Sequence, residues 1–144
     1  MDHAAEAIHQ EPVFQSNRLR IYDALLDSKK FGQIMQLSGA VEAMKLGDKP
    51  PVISRVVGGD FSSFGGYITG RQLELVPNAR VVQSWRVGSW EPGIHSIAKF
   101  ELQEQGATTR IVFDHTGFPK GLGEHLATGW NNNYWVPLRK FLAL

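Results

Sequence analysis

The sequence predicts an α+β fold in which a twisted antiparallel sheet wraps around a long helix at the carboxyl end. Residues 52–117 hold β-branched and aromatic runs separated by turn residues, the pattern of successive antiparallel strands. Residues 120–143 then carry an apolar residue at almost every fourth position, which is typical of a helix with one buried face. Because a sheet must cover its apolar face, this helix, the longest one predicted, is expected to lie on it.

The first strand is expected over residues 8–14, where Pro12 favours a sheet edge or a strand end because proline cannot donate to a ladder. Residues 1–7 are expected to form a loose lead-in to this strand. The stretch from residue 38 to residue 51 is rich in small residues and proline, which indicates mostly loop.

Two short helices are predicted between the first strand and this loop. Ser16 or Asn17 can cap the first, because the side-chain oxygen of either residue can accept a hydrogen bond from the first helical turn. Asp27 and Ser28 indicate a break and a second cap. Apolar residues recur at steps of about three and four in both segments, namely Leu19, Tyr22, Leu25 and Leu26, then Phe31, Ile34, Met35 and Leu37.

Six strands joined by tight turns are expected between residues 52 and 117. The turn signals are Gly58–Gly59, Gly65–Gly66, Pro77–Asn78 and the segments SWEPG and EQGAT. Alternate side chains of a strand point to opposite faces of the sheet. The set expected to face the helix is Val81, Gln83, Trp85 and Val87, then Ile94, Ser96, Ala98, Phe100 and Leu102, then Ile111, Phe113 and His115.

The terminal helix is expected to bury one apolar stripe and to bend once. Gly129 weakens the helix, and Pro137 removes a hydrogen bond to the carbonyl four residues back, so the bend is expected at Pro137. The stripe consists of Leu122, Leu126, Trp130, Tyr134 and Leu138, extended by Phe141 and Leu142.

Composition excludes several classes of protein. Fifteen basic and fourteen acidic residues leave a net charge of +1, whereas binders of nucleic acid or anionic membranes need a concentrated basic surface. No segment is long and apolar enough to span a membrane, and the start lacks the pattern of a secretory signal. The absence of cysteine excludes disulfides and a thiol nucleophile. We therefore expect one cytoplasmic domain over residues 1–144.

No residue pattern predicts metal binding or catalysis. Neither His115 nor any other histidine lies four residues from His125, and Glu124 points about 100° away from His125 on a helix, so no metal site is expected. Asp114 and His115 are strand neighbours that leave opposite faces, so they cannot form an acid–base dyad. No serine occupies a G-x-S-x-G turn. We expect no cofactor and no catalytic residue.

Four ordered motifs carry a family resemblance. They are G-x-x-x-E-L-V-P at Gly70–Pro77, W-R-x-x-S-W at Trp85–Trp90, G-F-P at Gly117–Pro119 and G-W-x-x-x-Y-W at Gly129–Trp135. With them the chain resembles the family named for the activator of heat-shock protein 90 ATPase. It is most similar to the carboxy-terminal domain of that co-chaperone and to its free-standing bacterial relatives.

The resemblance implies the helix-grip fold of the START and birch-pollen-allergen-like superfamily, whose members often hold apolar ligands between sheet and helix. It implies no catalytic set. The eukaryotic co-chaperone makes major contacts with its chaperone through a separate amino-terminal domain, and 144 residues leave no room for a second domain of that kind.

Three functions follow as hypotheses. The leading one is a single-domain binder of a small apolar or amphipathic molecule. The alternatives are an interaction protein for a heat-shock-type chaperone and an enzyme that uses His115 as acid or base on a hydrophobic substrate. For the leading hypothesis, the expected cavity-lining residues are Trp85, Phe100, Phe113, His115, Leu126, Trp130 and Tyr134, with His115 and the Tyr134 hydroxyl anchoring one polar end of the ligand.

Overall fold

The structure is a computed structural model that describes residues 6–47 and 49–144. The predicted lead-in over residues 1–5, and Asp48 in the predicted loop, lie outside the described residues. The α+β architecture is confirmed: an antiparallel sheet carries the carboxy-terminal helix on one face. Within the described ranges, no helix is both long and apolar enough to cross a lipid bilayer.

Among the residues that the structure describes, the sheet has eight strands. Their spatial order is β1-β8-β7-β6-β5-β4-β3, and β2 also pairs with β8. The strands are β1 (Ala7–Gln10), β2 (Val13–Phe14), β3 (Val52–Ile53), β4 (Asp60–Ser63), β5 (Ile68–Val76), β6 (Arg80–Val87), β7 (Ser96–Gln105) and β8 (Thr108–Thr116).

The first strand differs from its prediction. Residues 8–14 form two short strands, because the chain breaks at Pro12, which has no N–H to donate to the ladder. Both strands nevertheless pair with β8, with Ile8 opposite His115 in β1 and Phe14 opposite Thr109 in β2. The carbonyl of Pro12 accepts a hydrogen bond of 2.9 Å from the Ile111 amide, which keeps the interrupted strand in place.

Three helices follow in place of the two predicted: α1 (Arg18–Leu26), α2 (Ser28–Ser38) and the short α3 (Ala40–Ala43). The predicted caps are present, since the Asn17 and Asp27 side chains accept hydrogen bonds from the amides of Arg20 and Lys30. The predicted apolar face of α1 was partly wrong. Leu19 is 60% exposed, whereas Ile21, which the expected spacing omitted, is buried.

The carboxy-terminal helix runs in three parts: α4 (Gly123–Trp130), a π-helical turn (Asn131–Trp135) and α5 (Val136–Leu142). The irregularity lies in the turn before Pro137 rather than at the proline itself. Pro137 cannot donate to the carbonyl four residues back, and the Val136 amide bonds to the Asn131 carbonyl five residues back. One extra residue is thereby accommodated in the turn.

The β1 side chain of Gln10 fastens the helix to the sheet. Its Nε2 donates to the Ala127 carbonyl in α4 at 3.1 Å, and its Oε1 accepts from the Trp135 indole at 2.7 Å. The helix α2 packs against α5 and the π-helical turn. The core therefore lies between the concave face of the sheet and the carboxy-terminal helix, and α2 closes one end.

Close packing also explains why glycine occupies position 70, the first residue of the G-x-x-x-E-L-V-P motif. A Cβ atom at Gly70 in β5 would stand 1.9 Å from the Ser84 carbonyl oxygen and 2.5 Å from the Phe61 ring. Neither neighbour can move away without disturbing the ladder between β5 and β6. Only glycine therefore fits at this position of the sheet.

Candidate ligand-binding site

A cleft of about 810 Å³ opens between the sheet and the carboxy-terminal helix, beside α3. Its deep wall is formed by side chains that are each less than a tenth exposed, and its mouth by residues that face solvent. The buried wall residues are Ala40, Phe64, Ile68, Trp85, Val87, Trp90, Leu126, Trp130 and Tyr134. This volume lies within the range of small-molecule sites in proteins.

Four of the seven predicted site residues lie on the wall of the cleft. They are Trp85 in β6 and Leu126, Trp130 and Tyr134 on the carboxy-terminal helix. Trp130 contacts Trp85 with ring centroids 5.2 Å apart and Tyr134 with centroids 4.2 Å apart, so the three rings form one continuous wall. The ligand-binding role of these side chains stays a prediction.

The other three predicted residues do not line the cleft. Phe100, Phe113 and His115 face the helix side of the sheet as expected, but they are covered by aromatic rings. Trp130 lies directly on Phe113, with ring centroids 4.3 Å apart, and packs edge-on against His115 at 5.5 Å. These three side chains are absent from the cleft wall because their rings fill the space beneath Trp130 instead of leaving it open.

His115 lies in the middle of a linear series of buried hydrogen bonds. The Trp130 indole donates to His115 Nδ1 at 2.9 Å. Because an indole N–H can only donate, Nδ1 must be the acceptor and Nε2 must carry the proton. Nε2 then donates to Ser96 Oγ at 2.7 Å, and Ser96 Oγ donates to the Trp85 carbonyl at 3.0 Å.

This environment makes His115 a poor acid or base. The ring is fully buried, and burial lowers its pKa from 6.5 to about 4, so it is neutral at pH 7. Both ring nitrogens are already bonded to the protein, so neither can exchange a proton with a substrate in the cleft. The alternative that used His115 as a catalytic group, and the prediction that it anchors a ligand, do not fit this geometry.

Three polar groups lie close together between the cleft and the buried core. The Tyr134 hydroxyl lies within hydrogen-bonding reach of the Trp85 indole N–H and the Ser63 hydroxyl; burial raises the pKa of Tyr134, and its interaction with these two neighbours opposes the rise. Within the described residues, Trp85 Nε1 and Ser63 Oγ are buried and have no hydrogen-bond partner of acceptable geometry. A smaller cavity of about 20 Å³ lies on the other side of Tyr134 and is lined in part by Ser63.

Charge is confined to the mouth of the cleft. The lining residues that can carry a charge are Glu91, Lys120 and His125, and each is exposed. In the described part of the chain, no charged side chain lines the buried wall. The cleft therefore has an apolar interior and a mixed polar rim.

Several lining residues were missed by sequence reasoning. Ala40, Met44 and Leu46 belong to a segment that was predicted to be mostly loop, yet α3 and the turn after it form one side of the cleft. Val87 could have been found, because it shares the inward face of Trp85 on β6. Trp90 could not, since it lies in the turn after β6, where alternation no longer applies.

The π-helical turn determines which aromatic rings reach the core. Trp130, Tyr134 and Trp135 are all buried, although an α-helix turns about 100° per residue and would direct the last two apart. The wider turn allows Trp135 to stack beneath Trp130, with ring planes 24° apart, while Tyr134 stays on the cleft wall. Within residues 6–47 and 49–144, no cluster of His, Asp or Glu side chains is suited to hold a metal ion.

A curved antiparallel sheet that holds a helix, with an apolar cleft between them, defines a protein of the helix-grip class. The family model described as "Activator of Hsp90 ATPase homolog 1-like protein" matches residues 15–143. The chain therefore belongs to this family, as its motifs predicted.

Comparisons with individual proteins agree on the family. The chain is 34% identical over 77 residues to "Activator of 90 kDa heat shock protein ATPase homolog" of Dictyostelium discoideum, and the match covers 53% of this chain and 20% of that protein. A mouse protein, "Activator of 90 kDa heat shock protein ATPase homolog 2", is 25% identical over 100 residues, covering 69% of this chain and 30% of its own length. The chain thus spans less than a third of these relatives.

Solved structures show the same fold. A crystal structure described as an HSP90 activator from Plasmodium falciparum superposes with a TM-score of 0.81 at 19% identity, covering 95% of this chain and 96% of that one. At this level of identity the likeness concerns the fold alone.

Proposed function

We propose that the protein binds a small apolar or amphipathic molecule in the cleft between the sheet and the carboxy-terminal helix. One observation carries the proposal: a cleft of about 810 Å³ whose buried wall is almost wholly apolar and aromatic. Protein interiors are normally close-packed, so an opening of this size in a 144-residue chain needs an explanation. Transfer of an apolar ligand from water to this wall is favourable at about 25 cal/mol per Å² of apolar surface.

The cleft wall offers a position where the opening can be filled without disturbing the core. Gly129 in α4 lines the cleft, and an added Cβ would meet only the Asn133 amide nitrogen, at 3.9 Å. Replacement of a helical glycine by alanine stabilises a helix by up to about 1 kcal/mol. A larger side chain at this position would occupy ligand space while the fold remains intact.

The experiment is a fluorescence titration with diphenylhexatriene, a hydrocarbon that emits strongly only in apolar surroundings. Wild type and Gly129→Ala are expected to bind the probe, and Gly129→Leu is expected to bind it at least tenfold more weakly. Denaturant midpoints should show both variants to be as stable as wild type or more so. Absence of probe binding by wild type, or unchanged binding by the folded leucine variant, would contradict the proposal. Native mass spectrometry of the purified protein would then identify any small molecule that it carries.

A second candidate is a co-chaperone role, favoured by the printed descriptions of the curated relatives as activators of a 90 kDa heat-shock protein ATPase. The chain spans only 20% to 30% of those proteins, so we propose at most a weak contact with a chaperone of that type. Such a role would require a cytoplasmic location, which stays a prediction from the sequence. The two candidates are compatible, because the cleft occupies one end of the molecule and leaves the outer face of the sheet free.

A further inference from the structure

One residue of the W-R-x-x-S-W motif belongs neither to the core nor to the cleft wall. Arg86 lies between Trp85 and Val87 on β6, and both of these neighbours are buried on the helix side of the sheet. Because alternate side chains of a strand point to opposite faces, the Arg86 side chain leaves the sheet on its outer face. It is not among the residues that line the cleft. Its role therefore has to follow from what its guanidinium group contacts.

The Arg86 guanidinium holds the loop between β6 and β7 (residues 88–95). Its Nη1 donates to the carbonyls of Glu91 and Ile94, at 2.9 Å and 3.1 Å, and its Nη2 donates to the Trp90 carbonyl at 2.9 Å. Hydrogen bonds from a charged donor are stronger than those between neutral groups. All three acceptors are main-chain atoms of the loop, so one planar group fixes three points of its course from outside the cleft.

The same loop forms one side of the cleft. Trp90, Glu91 and Ile94 line it, so the residues whose carbonyls Arg86 binds are also the ones that face a ligand from this side. The Trp90 ring is buried and packs edge-on against Trp85, with ring centroids 5.9 Å apart. Glu91 and Ile94 are exposed. The loop therefore extends from the buried wall of the cleft to its mouth.

The sheet and helix walls of the cleft are held more extensively than this loop. The strands β5 and β6 are paired along most of their length, and Gln10 fastens the carboxy-terminal helix to β1. The loop has short turns of its own: the Trp90 amide donates to the Val87 carbonyl at 3.0 Å. Likewise the Ile94 amide donates to the Glu91 carbonyl at 3.2 Å. Exposed segments with few hydrogen bonds open at the lowest free energy, so this side of the cleft depends strongly on one side chain to stay closed.

We propose that Arg86 is a positioning residue for ligand binding, which holds the β6–β7 loop against the cleft, and that outward movement of this loop lets an apolar ligand enter and leave. Arg86 thereby sets the rate of ligand exchange without touching the ligand. The inference rests on the proposed function, because it concerns access to the same cleft. Lysine cannot replace the arginine, since an ammonium group lacks the planar fork that reaches three carbonyls together.

The test compares wild type with Arg86→Lys, which keeps the positive charge and most of the side chain. Each protein is loaded with diphenylhexatriene and mixed in a stopped-flow instrument with excess phosphatidylcholine vesicles, which take up the released probe. Release is expected to be about five- to tenfold faster from Arg86→Lys, as the loss of one such hydrogen bond implies. Arg80→Lys is the matched control, because Arg80 lies on the same face of β6 but pairs with Glu74 and Glu101 and does not line the cleft. Its release rate should equal that of wild type.

Hydrogen exchange gives a readout that a general loss of stability would not produce. The Trp90 and Ile94 amides should exchange faster in Arg86→Lys, and by a larger factor than the amides of β7 and β8. An unchanged release rate in Arg86→Lys, or equal acceleration in Arg80→Lys, would overturn the inference while leaving the proposed function intact. Faster release with a uniform loss of protection would trace the effect to global stability and would also overturn it. Failure of diphenylhexatriene to bind wild type would overturn the proposed function and the inference together.

Discussion

At the scale of single residues, His115 shows how one buried polar group can fix several others. Its neutral ring accepts from Trp130 on the helix and donates to Ser96 on β7, which in turn bonds the Trp85 carbonyl on β6. These hydrogen bonds thus join α4 to the strands β6, β7 and β8 inside an aromatic core. Such chains are stabilising only when every member is satisfied, as this one is.

The His115 ring makes stability depend on pH. In the unfolded chain its pKa is near 6.5, and burial lowers it to about 4 in the folded protein. The unfolded state therefore binds more protons between these values, so the contribution of His115 is complete above about pH 6.5 and is lost as the pH falls towards 4. The shift corresponds to roughly 3 kcal/mol of unfolding free energy.

Denaturant unfolding of wild type and His115→Gln at pH 8 and pH 4.5 would measure this contribution. Wild type should lose more stability on acidification than the glutamine variant does, by about 2–3 kcal/mol. Glutamine can both donate and accept but does not titrate, so the comparison isolates the imidazole. Parallel acid sensitivity of the two proteins would show that His115 is not the group responsible.

At the scale of elements, the start of α4 depends on a residue from the other end of the chain. The carboxylate of Glu6 accepts hydrogen bonds from the amides of Gly121 and Gly123, both at 3.0 Å. The positive end of a helix favours a negative group at this place, and α4 has no capping side chain of its own. The loop that Glu6 holds also contributes Lys120 and Leu122 to the cleft.

Glu6→Ala should cost about 1–2 kcal/mol of stability, the usual effect of losing such a cap. Hydrogen exchange at the Gly121 and Gly123 amides should become faster in the variant. Exchange in β6 and β7 should change only as much as the loss of global stability requires. Glu124→Ala, an exposed acidic residue in the first turn of the same helix, is the matched control and should cost less. Equal exchange rates at the two glycines in wild type and Glu6→Ala would contradict the assigned role.

The elements also show where sequence reasoning succeeds and where it stops. Strand alternation placed Trp85, Phe100 and His115 on the inner face correctly, because that face follows from the period of a strand. The depth at which each lies depends on which helix residue covers it, and Trp130 covers His115 rather than leaving it beside the cleft. The two-residue alternation of side chains along a strand carries no information on such long-range packing.

The presence of Pro137 likewise predicted only in part how the carboxy-terminal helix departs from regular α-helix. The missing N–H indicates a disturbed hydrogen bond, but whether the chain bends or widens depends on what the neighbouring rings require. Here Trp130 and Trp135 both pack into the core, and a π-helical turn satisfies both. The contribution of residues 40–46 to the cleft was missed for a similar reason, since a four-residue helix leaves no periodic pattern.

At the scale of the whole molecule, the family and the cleft point to different partners. The curated relatives are described as chaperone activators, but this chain aligns with only 20% to 30% of their length. Any ability to stimulate a chaperone would therefore come from the aligned part alone. The cleft proposed to bind a small molecule is, by contrast, formed by residues of this chain alone.

An ATPase assay with a 90 kDa heat-shock-type chaperone measures the first of these roles. Stimulation by this chain is expected to be several-fold smaller than stimulation by a full-length activator at the same concentration. Heat-denatured chain serves as the background control. Stimulation equal to that of the full-length activator would show that the aligned region suffices, and would make chaperone activation the leading function.

The pairing of β1 with β8 has a consequence for how the protein acquires its structure during synthesis. Ala7 lies opposite Thr116, so the first strand must wait until the last strand has left the ribosome before it finds a partner. The helix that covers the apolar face follows later still, at residues 123–142. Contacts this distant in sequence slow folding and leave the inner face of the sheet unprotected in the nascent chain. A chain with this topology completes its core only after nearly all of its residues have been made.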